Sequence, residues 1–298
     1  MTNKRAGFIA IIGAPNAGKS TLLNMLVGTK IAIVTHKVQT TRRRILGIVI
    51  EDQSQLIFVD TPGIFKPRRR LDRAMVSAAW KGSGDADRTI LVIDAKAGIT
   101  RDVEIILEGL KASGRKAILA LNKIDLMKKE WLLKSVEELQ SVLEFEEIFM
   151  ISALSGDGVT DLKTYLASSV EVGPWLYPED QLTDLAERIL ASEITREQIF
   201  LKLHQEVPYA TSVECQSFKR QKDGSIRIEE NILVERSSQK GIVIGKGGQT
   251  LKKIGAVARE QMEQVFGCKV HLFLFVKVSE KWADNPDHYR EIGLDFVE

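Results

Sequence analysis

The segment Gly13-Ala14-Pro15-Asn16-Ala17-Gly18-Lys19-Ser20 constrains this chain more than any other stretch. It follows the apolar run FIAII and precedes the helical pattern TLLNMLV, so a strand must stop at a glycine-rich turn and a helix must start at once. Strand, turn and helix in that order are the opening unit of an α/β domain. The pattern GxxxxGK(S/T) also carries chemistry. Its glycines let backbone N–H groups wrap a phosphate, and the helix N-terminus adds partial positive charge. The Lys19 ammonium reaches the β and γ phosphates, and the Ser20 hydroxyl ligates Mg²⁺. Thr21, next along the helix, belongs to the same cradle.

From Phe8 to about Val170 the rest of the chain keeps this rhythm. Apolar runs at 8–13, 45–50, 55–60, 89–94, 116–122 and 147–152 alternate with helical segments, the signature of a doubly wound, mostly parallel sheet with helices on both faces. The runs at 45–50 and 55–60 are joined only by EDQS, too short for a parallel crossover, so they form a hairpin and one strand runs antiparallel. At 298 residues the chain has room for about two domains. GPWLYPED, with two prolines and a glycine, breaks the rhythm. We read residues 1–172 as the first domain, 173–180 as a linker and 181–298 as a smaller α+β domain.

Two further strand ends complete a nucleotide site. Asp60-Thr61-Pro62-Gly63 ends the QLIFVD strand, where the aspartate reaches Mg²⁺ through water and the Gly63 N–H touches the γ-phosphate. Asn122-Lys123-Ile124-Asp125 ends KAILALN. The Asp125 carboxylate can accept from the ring N–H and exocyclic amine of guanine, donors that adenine lacks there, which selects GTP. Ser152-Ala153-Leu154 stands where a backbone N–H would face the guanine oxygen. In this order the motifs resemble the translation-factor branch of P-loop GTPases. That resemblance assigns Gln39-Thr40-Thr41-Arg42 to the first switch loop, with Thr41, or alternatively Thr40, closing on Mg²⁺ when the γ-phosphate is present. Lys19, Thr41 and Gly63 are then the catalytic candidates.

One position departs from the Ras-like pattern. The residue after DxxG, a water-orienting glutamine there, is Ile64, which can neither accept nor donate a proton. In related GTPases with a hydrophobic residue at this place, an asparagine matching Asn16 helps bind K⁺, so the resemblance implies K⁺ beside Mg²⁺ and slow intrinsic turnover. The basic run Lys66-Pro67-Arg68-Arg69-Arg70 comes next, in the second switch, either as a solvated loop or as a contact to a phosphate-rich partner.

The second domain opens with a long amphipathic helix from near Thr183. Two strand-like runs flank the Asp223-Gly224 turn, then come IVIG-KGG, a helix from about Gln249 to Phe266 and the strand KVHLFLFVKV. The order helix, strand, strand, helix, GxxG, helix, strand resembles the KH domain in its type II topology. In such domains the glycine loop approaches a nucleic-acid backbone and bases lie in an adjacent apolar groove. Gly245, Lys246, Gly247 and Gly248 form the loop, with Lys240, Lys252, Lys253 and, further on, Arg259 around it.

A P-loop GTPase domain followed by one KH domain, together with PNAGKSTLLN, QTTRRRILG, DTPGI, ASEITRE, ILVER and KVSEKWAD, resembles the Era family of GTPases over nearly the full chain. The resemblance implies GTP and GDP as ligands, binding of small-subunit (16S) ribosomal RNA near its 3′ end, and a role in small-subunit assembly. It also implies a monomer and peripheral association with the inner membrane. An alternative reading gives the second domain a protein or membrane partner instead of RNA. The two cysteines, Cys215 and Cys268, without a CxxC, point to a reducing cytoplasm, and the N-terminal apolar run breaks at Gly13 and Pro15 before completing a signal peptide. Net charge gives no hint of RNA. The 42 Lys and Arg against 40 Asp and Glu leave +2, and 181–298 alone holds 17 against 18.

Overall fold

Each apolar run of the first domain becomes a strand in the computed structural model, which describes residues 4–38, 40–67, 69–280, 282, 286–291 and 294–296. Gln39, Arg68 and, in KVSEKWAD, Lys281, Ala283 and Asp284 lie outside the described residues. The elements are β1 (Arg5–Gly13), α1 (Lys19–Val27), β2 (Ile45–Glu51), β3 (Ser54–Asp60), α2 (Arg70–Gly84), β4 (Arg88–Asp94), α3 (Arg101–Ser113), β5 (Ile118–Asn122), α4 (Lys129–Val142), β6 (Ile148–Ile151) and α5 (Val159–Ser169). The sheet runs β2-β3-β1-β4-β5-β6. Its pairs are parallel except β2 with β3, the expected hairpin, in register Ile45 opposite Asp60.

Alternation along each strand splits the core between two faces. Ile9 and Ile11 of β1 face α1 and α5 through Leu22, Leu23, Leu162 and Leu166, whereas Ala10 and Ile12 face α2, α3 and α4 through Ala79, Ile106, Leu110 and Leu139. Each buried Leu or Ile contributes about 1.5–3 kcal/mol. The consequence for function is positional. Both faces are covered, so polar groups can gather only where strands end, and Gly13, Asp60, Asn122 and the residues after β6 all lie at carboxyl ends.

The chain divides by contact into one unit of Met1–Ala32, Thr41–Asp184 and Ile292–Glu298 and another of Ile33–Thr40 and Leu185–Glu291. The proline-containing stretch belongs to the first. Trp175 Nε1 donates to the Gln53 carbonyl at 3.1 Å, and the Gln55 side chain accepts from the N–H groups of Leu176 and Tyr177. The Ile48 N–H donates to the Leu182 carbonyl at 2.8 Å, Thr183 bridges to Gly47, and Asp184 accepts from the Leu46 N–H at 3.1 Å. Residues 182–184 thus act as a short strand on the β2 edge. The helix expected from Thr183 begins later for that reason, as α6 (Glu187–Lys202).

The second unit continues with β7 (Thr211–Arg220), β8 (Ile226–Val234), α7 (Ser237–Ile244), α8 (Gln249–Phe266), β9 (Val270–Val278) and α9 (Pro286–Glu291). Its sheet runs β7-β8-β9, antiparallel then parallel, in agreement with the expected KH order. α6 and α8 cover one face through Ile194, Ala258 and Met262 against Ile226, Ile228 and Val270. Among the described residues no helix is long and apolar enough to cross a membrane.

Candidate nucleotide and nucleic-acid sites

The phosphate loop takes the shape its glycines require. Gly18 has φ of 102°, and a Cβ there would lie 2.2 Å from Asn122 Nδ2; a Cβ on Gly13 would lie 2.4 Å from the Val92 carbonyl. Gly63 closes over the loop, where a side chain would meet Pro15 N at 3.0 Å. Lys19 is buried, and its Nζ donates to the carbonyls of Gly13 and Ala14, each at 3.0 Å. Burial pulls its pKa down to about 8, against the opposing pull of Asp60.

Three oxygen-bearing side chains meet beside it. Ser20 Oγ donates to Asp60 Oδ2 at 2.7 Å and lies 2.8 Å from Thr41 Oγ1, itself 3.5 Å from Asp60 Oδ2. Burial pushes the Asp60 carboxyl up to about 6, with Lys19 and the Ser20 and Thr41 hydroxyls opposing. Its Oδ1 is buried without a hydrogen-bond partner among the described residues. A hard donor set of two hydroxyls and a carboxylate with one oxygen unspent fits Mg²⁺. The geometry also separates the two switch threonines. Thr40 Oγ1 lies 2.6 Å from Thr35 Oγ1 and donates to the Lys37 carbonyl at 2.8 Å, away from the cluster that Thr41 joins.

At the base-recognition end the motif braces the loop. Asn122 Nδ2 donates to the Ala17 carbonyl at 2.8 Å, and Lys123, at φ 66°, donates from Nζ to the Asn16 carbonyl at 2.8 Å and to Asp94 at 2.6 Å. Asp94, at the end of β4, was not singled out from the sequence; only the register of β4 beside β5 brings it into reach. Asp125 stands exposed in the turn after β5, free of the brace. The Ser152 and Ala153 N–H groups, expected to face guanine, are spent on the Asp157 carbonyl and on Asn122 Oδ1, each at 2.9 Å, so they hold the loop instead. Thr61 likewise donates to the Ile11 carbonyl at 2.9 Å, tying β3 to β1, with Pro62 buried next to it.

Ile64 packs in the core with Ala10, Ile12 and Ala79, its N–H on the Gly13 carbonyl at 3.1 Å. Its side chain therefore has no part in positioning water. In the basic run Lys66 and Arg69 are exposed, and the Arg70 guanidinium lies 4.8 Å over the Phe296 ring.

In the second unit Gly245, Gly247 and Gly248 have φ of 73°, 59° and 78°, and a Cβ on Gly245 would strike Thr250 Oγ1 at 2.1 Å. The GxxG turn leaves exposed Lys246 at its apex. Beside it opens a groove between α8 and β9, floored by Leu251, Leu272 and Leu274 and edged by Lys252 and Arg259. Gly255 and Ala256 keep it open, since a Cβ on Gly255 would lie 3.3 Å from Leu274. Lys240 and Lys253 are not among its lining residues. The groove residues Gly255, Ala256, Leu272 and Leu274 were missed in the sequence. The available signal was the Gly255-Ala256 pair on the helix about two turns past the loop.

Comparisons with known proteins show which family the chain belongs to. Residues 8–123 match the family model described as a 50S ribosome-binding GTPase and residues 206–283 that of the KH domain. GTPase Era of Sinorhizobium medicae is 56% identical over 98% of this chain and 94% of its own length; that of a Bradyrhizobium strain is 57% identical over 98% and 95%. Among solved structures, an Era in complex with MgGDPNP and nucleotides 1506–1542 of 16S ribosomal RNA matches with a TM-score of 0.92 at 38% identity, covering 97% of this chain and 99% of that one. An Aquifex aeolicus Era variant bound to GDP and AlF4⁻ matches at 0.91 and 39% with the same coverage. Identity of this extent along nearly the whole of both partners, over a formed phosphate loop and a formed GxxG groove, means that the chain belongs to the Era family of GTPases.

Proposed function

We propose that this GTPase binds 16S ribosomal RNA near its 3′ end through the groove beside Gly245–Gly248 and acts in assembly of the small ribosomal subunit, with its nucleotide state gating RNA binding. The observation that carries the reading is the open groove between α8 and β9, apolar at its floor and cationic at its edge, which suits unstacked bases flanked by a phosphate backbone. The Era solved with a 16S fragment supports the choice of RNA.

In the first unit the P-loop from Gly13 to Thr21 cradles the phosphates. Lys19 neutralises charge on the β and γ groups, the Gly63 N–H holds the γ end, and Asp125 selects guanine. Ser20, Thr41 and Asp60 would hold Mg²⁺, which would neutralise charge on the β and γ phosphates. Asn16 at φ 62° stands at the mouth of the loop, and we assign K⁺ binding to it. With Ile64 buried, no side chain at that position orients water, so intrinsic turnover is slow; an external activator can add about 10⁵-fold, roughly 7 kcal/mol. Equal turnover in K⁺ and Na⁺ buffers would remove the K⁺ assignment. A cytoplasmic setting is part of the proposal and is supported by the free thiols of Cys215 and Cys268.

The deciding experiment measures affinity for a 3′-terminal 16S fragment with GDP and with a non-hydrolysable GTP analogue. Tighter binding with the analogue, abolished by Gly245→Asp with Gly248→Asp while GTP hydrolysis persists, is expected. By linkage the RNA must then tighten analogue binding by the same factor. RNA affinity untouched by the double substitution would instead favour a protein or membrane partner for the groove.

A further inference from the structure

The segment Ile33–Thr40 groups with the second unit although it lies between two stretches of the first, and its hydrogen bonds explain why. Internally it is a closed loop. The Lys37 N–H donates to Thr35 Oγ1 at 3.1 Å, and Thr40 Oγ1 donates to the Lys37 carbonyl at 2.8 Å. Three ties bind it to α6. Glu197 Oε1 accepts from the Val34 N–H at 2.8 Å, Lys37 Nζ donates to the carbonyls of Phe200 and Leu203, and Arg196 Nη2 donates to the Thr40 carbonyl at 2.6 Å.

The Arg196 tie is the most constrained of the three. The side chain is 2% exposed, its Nε and Nη2 are paired with Glu193 three residues back, and the guanidinium lies 5.3 Å from the Phe200 ring centre. A buried, planar fork fixed on one edge by a carboxylate has little freedom on the other, so the carbonyl it holds is fixed too. That carbonyl belongs to the peptide bond joining Thr40 to Thr41, the residue whose Oγ1 lies 2.8 Å from Ser20 Oγ. A one-ångström displacement of such a group can cost about 10²-fold in rate.

We infer that Arg196 is a positioning residue for the GTPase reaction: through the Thr40 carbonyl it sets the backbone from which the Thr41 hydroxyl meets Ser20 and Asp60, and Glu193 orients it for that task. This rests on the reading of Thr41 as the threonine that closes on Mg²⁺ in the triphosphate state. Because that closure needs the γ-phosphate, loss of Arg196 separates the two nucleotide states. A purely structural role would weaken both alike.

The test uses full-length protein and four variants, Arg196→Ala, Thr41→Ala, the double variant, and Glu193→Gln, which keeps the arginine but loosens its orientation. Equilibrium binding of GDP and of a non-hydrolysable GTP analogue, with Mg²⁺, is measured beside kcat. Arg196→Ala should keep GDP affinity within about twofold while losing about tenfold in analogue affinity and in kcat. Glu193→Gln should move the same ratio by a smaller factor. The double variant should be no worse than Thr41→Ala alone, because the two act through one hydroxyl. Equal losses for GDP and analogue, or effects that multiply in the double variant, would overturn the inference. Should Arg196→Ala not fold, an unchanged analogue-to-GDP ratio in Glu193→Gln overturns it. A Thr41→Ala variant that behaves like the parent would instead refute the reading of Thr41 and leave the GTPase assignment standing.

Discussion

Glu230 is a carboxyl whose surroundings do not support a charge. It lies inward on β8 at 0% exposure, and burial pushes its pKa from 4.5 up to about 7. The Ser192 and Thr195 hydroxyls of α6 face it and oppose that rise, yet neither carboxylate oxygen completes a hydrogen bond among the described residues. From β7, Cys215 is its cross-strand neighbour, with a thiol pushed up to about 11 by burial and by Glu230, and Arg188 acts on that thiol in the opposite sense. Burial outweighs these neighbours and fixes the sign of the pH effect. Between about 4.5 and about 7 the unfolded chain has released the proton that the folded chain keeps, so stability falls as pH rises, by roughly 1.4 kcal/mol per unit inside that window. Urea unfolding from pH 5 to 8 should show this decline for the parent and a flatter curve for Glu230→Gln, which gains most at the alkaline end. Parallel curves would refute the assignment. Nothing in the run Ile228-Glu229-Glu230-Asn231 marked the second glutamate as the buried one, because strand phase assigns sides but a three-residue polar run reads as solvent-facing throughout. The glycines of the phosphate loop were legible for the opposite reason. A Cβ at Gly18 has no space beside Asn122 whatever the context, so residue type alone carries the information.

At the scale of elements, strands and the β2–β3 hairpin were legible because apolar runs separated by four polar residues allow one connection only. The start of α6 was not. Residues 182–184 share a helical periodicity with residues 185–190, but the unpaired edge of β2 offers their backbone partners that a helical first turn would forgo. The floor of the proposed RNA groove was equally hidden, since Leu272 and Leu274 read as ordinary core positions of β9 until α8 is seen to leave a gap above them at Gly255. That gap yields a test confined to one element. Gly255→Val should fill the groove, keep α8 folded because a mid-helix glycine is already unfavourable by about 1 kcal/mol, and lower RNA affinity by about tenfold or more. GTP turnover without RNA should stay at the parent level. A fall in RNA affinity matched by loss of helical signal would mean that packing, not access, had been damaged, and unchanged affinity would place the bases elsewhere.

For the whole molecule the net charge of +2 predicts no attraction to RNA, and summing over 181–298 makes matters worse, with 17 basic against 18 acidic residues. Screening resolves the conflict. Over a Debye length of about 8 Å at physiological salt a phosphate senses only nearby charges, and residues 240–259 hold five basic residues and no acidic one. Of these Lys246, Lys252 and Arg259 stand at the loop or groove, which gives about three phosphate contacts and a slope of log affinity against log salt near −2 for single-stranded RNA. That slope counts only the charges at the GxxG groove; the basic run at 66–70 belongs to the first unit. Titration of a short 3′-terminal fragment between 50 and 200 mM KCl, roughly the range over which such slopes are read, should return that shallow value. Lys252→Ala should reduce the slope by about 0.7, and Lys66→Ala with Arg69→Ala should leave it alone. A slope steeper than about −5, or one that those two switch substitutions flatten, would mean that RNA runs along a far larger basic surface than the GxxG groove presents.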